Sequence, residues 1–185
     1  MDLVIPALAH LDSYSAALRT GWSADNVRGK AAADEELVRI AADPAGFVAS
    51  LVDRGARGGD IVLPDGSTAR RLPGYRLFMW DAGDFCGSIG LRWQPGTSAL
   101  PPHVLGHIGY AVVPWKRRQG HATRALGLML AHARGEGLGQ VLITTTPQNT
   151  PSQKVIQAHG GVLVEQFTVP DTHGGGTGLR YRVDL

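Results

Sequence analysis

Apolar residues along this chain follow two different periods, and the change between them falls near residue 61. Before it, the spacing is mostly helical. Leu3 to Ile5 reads as a short opening strand, after which Leu8, Leu11, Tyr14 and Leu18 recur on one helical face and Gly21 closes that helix. Leu37, Ile40 and Ala41 mark a second helical stretch. Asp43-Pro44 restarts it, with Asp43 as N-cap, Pro44 at the first helical position, and Phe47, Val48, Leu51 and Val52 as the apolar face. The glycine-rich run from Arg54 to Asp60 reads as a loop.

From Ile61 the period is two. Ile61-Val62-Leu63 is followed by the hairpin signal Asp65-Gly66, and Gly74 to Trp80 is a strand. A turn at Asp81-Ala82-Gly83-Asp84 leads to a strand on which Phe85, Ile89, Leu91 and Trp93 alternate. Gln94 to Pro102 is a loop, and Val104 to Val113 is the next strand. Strand and helix then alternate. Ala122, Ala125, Leu126, Met129, Leu130 and Ala133 form a helical stripe, Val141 to Thr145 is a β-branched strand, and Ser152 to His159 is a short helix stopped by Gly160-Gly161. Val162 to Phe167 and Leu179 to Val183 are the last strands, joined by the loop Asp171 to Gly178. Helices, then an antiparallel meander, then a strand-helix-strand-helix crossover predict a mixed α/β sheet.

Composition narrows the class without changing it. The 185 residues suit one domain over 1–185, and 43% hydrophobic with 18% charged residues is ordinary for a globular chain. No apolar run approaches the ~18 residues needed to span a bilayer, and Met1 to Pro6 lacks the basic start and apolar core of a signal peptide. With a single cysteine, Cys86, no internal disulfide can form, so the expected setting is the cytoplasm. Cys86 reads as a buried, inert thiol. A net charge of +2 does not supply the wide basic face that nucleic-acid binding demands. The seven histidines do not cluster with cysteine or acidic residues at ligand spacings, so no metal is expected.

The chemistry concentrates in Val112-Val113-Pro114-Trp115-Lys116-Arg117-Arg118-Gln119-Gly120-His121-Ala122-Thr123. A strand ends at a proline that cannot donate to a ladder. A basic loop follows, and a helix begins near Gly120. The first turn of a helix offers unpaired N–H groups and about half a positive charge, which is an anion site. Gly120 and Ala122 leave the backbone approachable, and Lys116, Arg117, Arg118 and Arg124 surround it with positive charge. Neither a G-x-x-x-x-G-K-[ST] run nor a G-x-G-x-x-G turn is present. The pattern suits a diphosphate.

This stretch resembles motif A of the GCN5-related N-acetyltransferases (GNAT), with Arg117, Gly120 and Ala122 at the positions of its Arg/Gln-x-x-Gly-x-Gly/Ala loop. The resemblance continues through Val141-Leu142-Ile143-Thr144 to Asn149-Thr150-Pro151-Ser152 and Val155 to Gly161, and its clear part covers residues 104–167. It implies a mostly antiparallel mixed sheet with flanking helices and a splayed parallel strand pair. It also implies acetyl-CoA as co-substrate and an amine acceptor. Backbone groups at Ala111, Val112 and Val113 would hold the acyl carbonyl and the pantetheine arm. The N–H groups of Arg118, Gln119, Gly120, His121, Ala122 and Thr123 would hold the pyrophosphate. Asn149 and Ser152 would contact the pantetheine.

The implied reaction is direct attack of a primary amine on the thioester in a ternary complex. Many relatives carry a tyrosine in the helix after the Asn block as acid for the leaving thiolate; here that position is Ile156. Candidate catalytic groups are therefore His107, with a suitable ordinary pKa for a base, and Tyr110, nearer the acyl carbonyl. Three apart on one strand, they face opposite sides. Trp22, Trp80, Trp93 and the two N-terminal helices would line the acceptor pocket. The alternative is a non-catalytic acyl-CoA-sensing module on the same fold, and such folds also admit homodimers.

Overall fold

The computed structural model describes residues 1–63 and 66–185. The elements are β1 (Asp2–Val4), α1 (Leu11–Arg19), α2 (Lys30–Ala42), α3 (Pro44–Ser50), β2 (Val52–Asp53), β3 (Ile61–Val62), β4 (Thr68–Ala69), β5 (Gly74–Asp81), β6 (Asp84–Arg92), β7 (Ile108–Val112), α4 (His121–Gly135), β8 (Gln140–Thr145), α5 (Thr150–Gln157), β9 (Val162–Thr168) and β10 (Thr177–Asp184). Short 3-10 turns occupy Leu8–His10, Pro114–Lys116 and Asp171–His173. β3 and β4 pair as a separate hairpin. The expected turn at Asp65-Gly66 lies partly outside the described residues, since Asp65 is not among them.

Two antiparallel sheets carry the rest. One has the order β1-β5-β6-β7, with β2 also on β5; the other has β8-β10-β9. Alternation along the strands gives the first sheet two faces. Tyr75, Leu77, Met79, Ile89 and Leu91 point into a core shared with Ala125, Leu126, Met129 and Ala133 of α4, and with Ile156 of α5. Phe78, Phe85 and Val113 point the other way, under Leu11, Tyr14, Leu18 and Trp22 from the α1 region and Phe47 of α3. Apolar stripes at helical spacing thus meet apolar faces at strand spacing, and helices pack against both faces of the sheet.

The direction of β8 follows from α4. At its start Arg124 reaches Asp2 (3.3 Å), which pairs with Trp80 near the end of β5. At its end Glu136 meets the Tyr75 hydroxyl (3.4 Å), and Tyr75 is in register with Leu91 and through it with Ile108, the first residue of β7. The helix therefore returns the chain to the start of β7, and β8 sets off beside β7 in the same direction, as a strand-helix-strand crossover requires. The two strands share no ladder. They touch at one place, where His107 N–H donates to the Leu142 carbonyl (2.7 Å) and Leu142 N–H donates to His107 Nδ1 (2.9 Å). Beyond that point no backbone hydrogen bond joins β7 to β8 among the described residues.

The strand expected over Val104 to Val113 begins only at Ile108. The reason is the same contact. Gly106 lies so close to β8 that a side-chain carbon there would sit 3.0 Å from the Leu142 carbonyl oxygen, and His107 spends its N–H on β8, so the chain before Ile108 leaves β6. Among the described residues no helix is long and apolar enough to cross a membrane.

Candidate active site at the splay of β7 and β8

β7 presents the splay with free donors. Val113 N–H bonds the Cys86 carbonyl across β6 (3.0 Å). In an antiparallel ladder that partner alternates, so the N–H groups of Tyr110 and Val112 point away from β6 and into the gap. Gly87, opposite Val112 in register, has to be glycine: its φ is +154° and an added Cβ would stand 2.3 Å from the Ala111 carbonyl oxygen. This close approach fixes the end of β7. The Val112 carbonyl accepts from Arg117 Nε (3.3 Å), which tethers the basic turn to the strand end.

After Val113, Pro114 starts a 3-10 turn, and the chain enters α4 through Arg118 (φ +60°) and Gly120 (φ +80°), both left-handed. Gly120 is the N-cap of α4 and offers no side-chain cap. Arg124 N–H closes the first helical bond onto the Gly120 carbonyl (3.0 Å). Among the described residues no acceptor meets the backbone N–H groups of His121, Ala122 or Thr123. An added Cβ on Gly120 would meet nothing within 4 Å. Here is a bare helix start facing open space, which is what an anionic group needs. Lys116 is drawn to Asp84 (3.1 Å) and Arg124 to Asp2 (3.3 Å), whereas Arg117 and Arg118 have no carboxylate partner among the described residues. The hydrogen bond from Lys116 to Asp84 raises the affinity of that amine for its proton. His121 is placed differently from the rest of its loop: its ring is buried, with Nε2 unpartnered, so only its backbone faces outward.

Across the gap, Asn149 caps α5, its Oδ1 accepting from Ser152 N–H (3.2 Å), and its side-chain amide is left free to donate. The Ser152 hydroxyl lies 2.9 Å from the Tyr110 hydroxyl. That bridge joins residues 42 positions apart, and no local pattern reveals it. Burial raises the pKa of the Tyr110 phenol, and the bond to Ser152 opposes this. Ile156 is fully buried in the core beneath α5.

His107 is brought to the base of the splay, not to its mouth. Its side chain is fully buried, Nδ1 accepts the Leu142 N–H, and the proton therefore sits on Nε2, which has no partner. Burial pushes its pKa down to about 4, and the positive charge of Arg92 acts in the same direction. With one nitrogen committed and the other protonated, the ring has no free lone pair, which argues against it as a proton acceptor. Of the expected pocket tryptophans, Trp93 packs in the α4-side core against Tyr75 and Trp22 is sealed against Tyr14 and Phe85; Trp80 is half-buried beside His10. Cys86 is fully buried and desolvation raises its thiol pKa. Among the described residues no three metal-ligating side chains gather.

Comparison with known proteins agrees with this fold. The sequence model of the acetyltransferase (GNAT) domain matches residues 26–162. No curated protein matches the chain. Among solved structures, the fold is similar to a Bordetella pertussis protein assigned to the GnaT acetyltransferase family (17% identity, 98% of this chain and 93% of the other, TM-score 0.58). It is also similar to the microcin C7 self-immunity acetyltransferase MccE, solved with acetyl-CoA and AMP (12% identity, 99% and 91%, TM-score 0.64). A third similar structure is the ribosomal L7/L12 alpha-N-protein acetyltransferase RimL, solved with coenzyme A (11% identity, 99% and 93%, TM-score 0.63). A mixed α/β fold with this motif order, matched over most of its length by that domain model, places the chain in the GNAT acetyltransferase family.

Proposed function

We propose that this protein transfers the acetyl group of acetyl-CoA to a primary amine by direct attack within a ternary complex. The observation that carries the reading is the uncapped start of α4, open to solvent beside two arginines that have no carboxylate partner among the described residues, at the end of the strand that borders the splay. The N–H groups of Arg118 to Thr123 hold the pyrophosphate, with Arg117 and Arg118 adding charge. Ala111, Val112 and Val113 flank the acyl group and pantetheine arm, and Asn149 and Ser152 meet that arm from α5. Coenzyme-bound MccE and RimL have the same fold, which supports acetyl-CoA as the donor.

Acetyl-CoA supplies the activated acetyl thioester; the protein's own groups do the rest. Val112 N–H, aimed into the gap, stabilises the negative charge that grows on the carbonyl oxygen, an effect of about 3–4 kcal/mol per donor in well-studied enzymes. Holding amine and thioester together contributes up to roughly 7–11 kcal/mol. The paired hydroxyls of Tyr110 and Ser152 stand where the leaving sulfur departs, and they take the proton-donating role that Ile156 cannot. The amine sheds its proton to solvent, because His107, with Nδ1 committed to the Leu142 N–H and Nε2 protonated, has no lone pair free to accept it.

The buried Ile156 favours a second reading, a module that binds acyl-CoA without turning it over. Free thiol released from acetyl-CoA in the presence of a panel of primary amines separates the two. Turnover is expected, with kcat reduced about 10-fold or more in Ser152→Ala and Tyr110→Phe. Coenzyme binding with no thiol release for any amine would instead establish the sensing module.

A further inference from the structure

The face of the first sheet opposite α4 is only partly covered. α1 to α3 roof Phe78, Phe85 and Val113 and reach Arg76 through Tyr14 and Glu36, but they leave Gly109 exposed and Gly90 part-exposed; Arg76, Gly90 and Gly109 are opposite one another in register on β5, β6 and β7. Gly109 is exposed, and an added Cβ there would meet nothing within 4 Å. Gly90, its partner, would meet only the Tyr75 carbonyl at 3.4 Å. Two facing glycines inside a sheet leave a bare strip of backbone on which a ligand can lie. Arg92 projects from the same face two residues beyond Gly90.

The charges beside this strip do not balance. Glu36 is taken up by Arg76 (2.9 Å) and by the Tyr14 hydroxyl. Arg180, on the neighbouring sheet, is taken up by Glu165. The Arg92 side chain has no hydrogen-bond or ion-pair partner among the described residues, and its neighbour Arg76 is a like charge. The Arg92 residue is open to solvent, yet enough protein surrounds the guanidinium that desolvation lowers its proton affinity, with the charge of Arg76 adding to the effect. An unpaired guanidinium held against another one is a binding group awaiting an oxyanion, and its planar donors suit a carboxylate or a phosphate.

We infer that the acceptor amine carries an oxyanion, a carboxylate or phosphate, which lies along the Gly90–Gly109 strip and is held by Arg92 beside Arg76. This rests on the acetyl-transfer reading of the splay. The coenzyme fills the side of β7 that faces α4 and α5, so the amine reaches the acyl group from the other side, where Gly109 stands bare. Strand geometry gives the ruler. Gly109 is two residues, or about 7 Å, from Ala111, and Arg92 lies a further ~7 Å back with a long side chain, so amine and anion are separated by roughly 5–10 Å.

The test compares amines that differ only in the anion: 5-aminopentanoate against 5-aminopentanamide, and O-phosphoethanolamine against ethanolamine. The expected result is that kcat/KM by thiol release favours the anionic member of at least one pair by 10-fold or more. In Arg92→Gln that ratio should collapse to within about threefold of unity through KM, while Arg92→Lys recovers part of it. Arg92 is exposed, so these variants fold. Gly109→Leu, which fills the strip, should raise KM for the anionic amine while leaving coenzyme affinity intact. An equal rate for both members of each pair, or a preference that survives Arg92→Gln, overturns the inference. If no amine is acetylated, binding of 5-aminopentanoate and O-phosphoethanolamine to the coenzyme-saturated protein, read by NMR shifts at Gly90 and Gly109, decides the point separately. Shifts abolished in Arg92→Gln uphold the anion site although acetyl transfer fails, and no shift at all refutes it.

Discussion

At the residue scale, Gly120 is where the proposed coenzyme site is most directly tested. Its φ of +80° suits glycine, and the space in front of it is empty. A glutamate there adds bulk and negative charge where a diphosphate is to sit, in addition to roughly 1 kcal/mol of backbone strain. Isothermal titration with coenzyme A should show a loss of affinity of about 100-fold or more in Gly120→Glu. Gly120→Asn, uncharged and tolerant of left-handed backbone, should lose much less. Equal affinity in wild type and Gly120→Glu would remove the phosphate site from this loop. The sequence marked this residue because glycine before an amphipathic helix and after a basic run is a local pattern. It did not mark Arg92, whose meaning depends on what is absent around it.

At the element scale, α5 has eight residues and depends on its cap. Asn149 serves two purposes that can be separated. Its Oδ1 caps Ser152, so Asn149→Ala should cost about 1 kcal/mol of stability in chemical denaturation. On the proposed reading its amide N–H groups meet the pantetheine. Asn149→Asp keeps the cap but removes those donors, so stability should hold while coenzyme affinity falls. If Asn149→Asp binds coenzyme as well as wild type does, the residue is only a cap. Element types were largely legible, because the stripes at 3.6 and 2 residues are local. Boundaries were less so. β7 loses its first four expected residues to the contact between Gly106, His107 and β8, a strand more than thirty positions away.

At the scale of the whole molecule, His107 is the clasp between the two sheets. Its imidazole replaces a carbonyl as the acceptor for Leu142 N–H at the one point where β7 and β8 touch. Because burial holds its pKa near about 4 rather than its ordinary 6.5, the unfolded chain binds a proton that the folded one refuses. The stabilising contribution is therefore complete above pH ~6.5 and fades as pH falls toward ~4, by about 3 kcal/mol over that window. Urea melts between pH 4 and 7 should show this slope in wild type and a shallower one in His107→Asn, whose side-chain oxygen can still accept from Leu142. An unchanged slope would mean that another group titrates.

By itself, the sequence determined the helix and strand periods, the uncapped helix start behind a basic turn, and the family to which those belong, since each is written in residues close together along the chain. Only the tertiary structure decided which groups meet. It sent His107 inward as a clasp, joined Tyr110 to Ser152, occupied Glu36 twice and left the Arg92 side chain without a partner among the described residues, two positions from two facing glycines. Those outcomes depend on strand register and on the direction of the β7-to-β8 crossover, which arise from packing between segments far apart in the chain and leave no local trace.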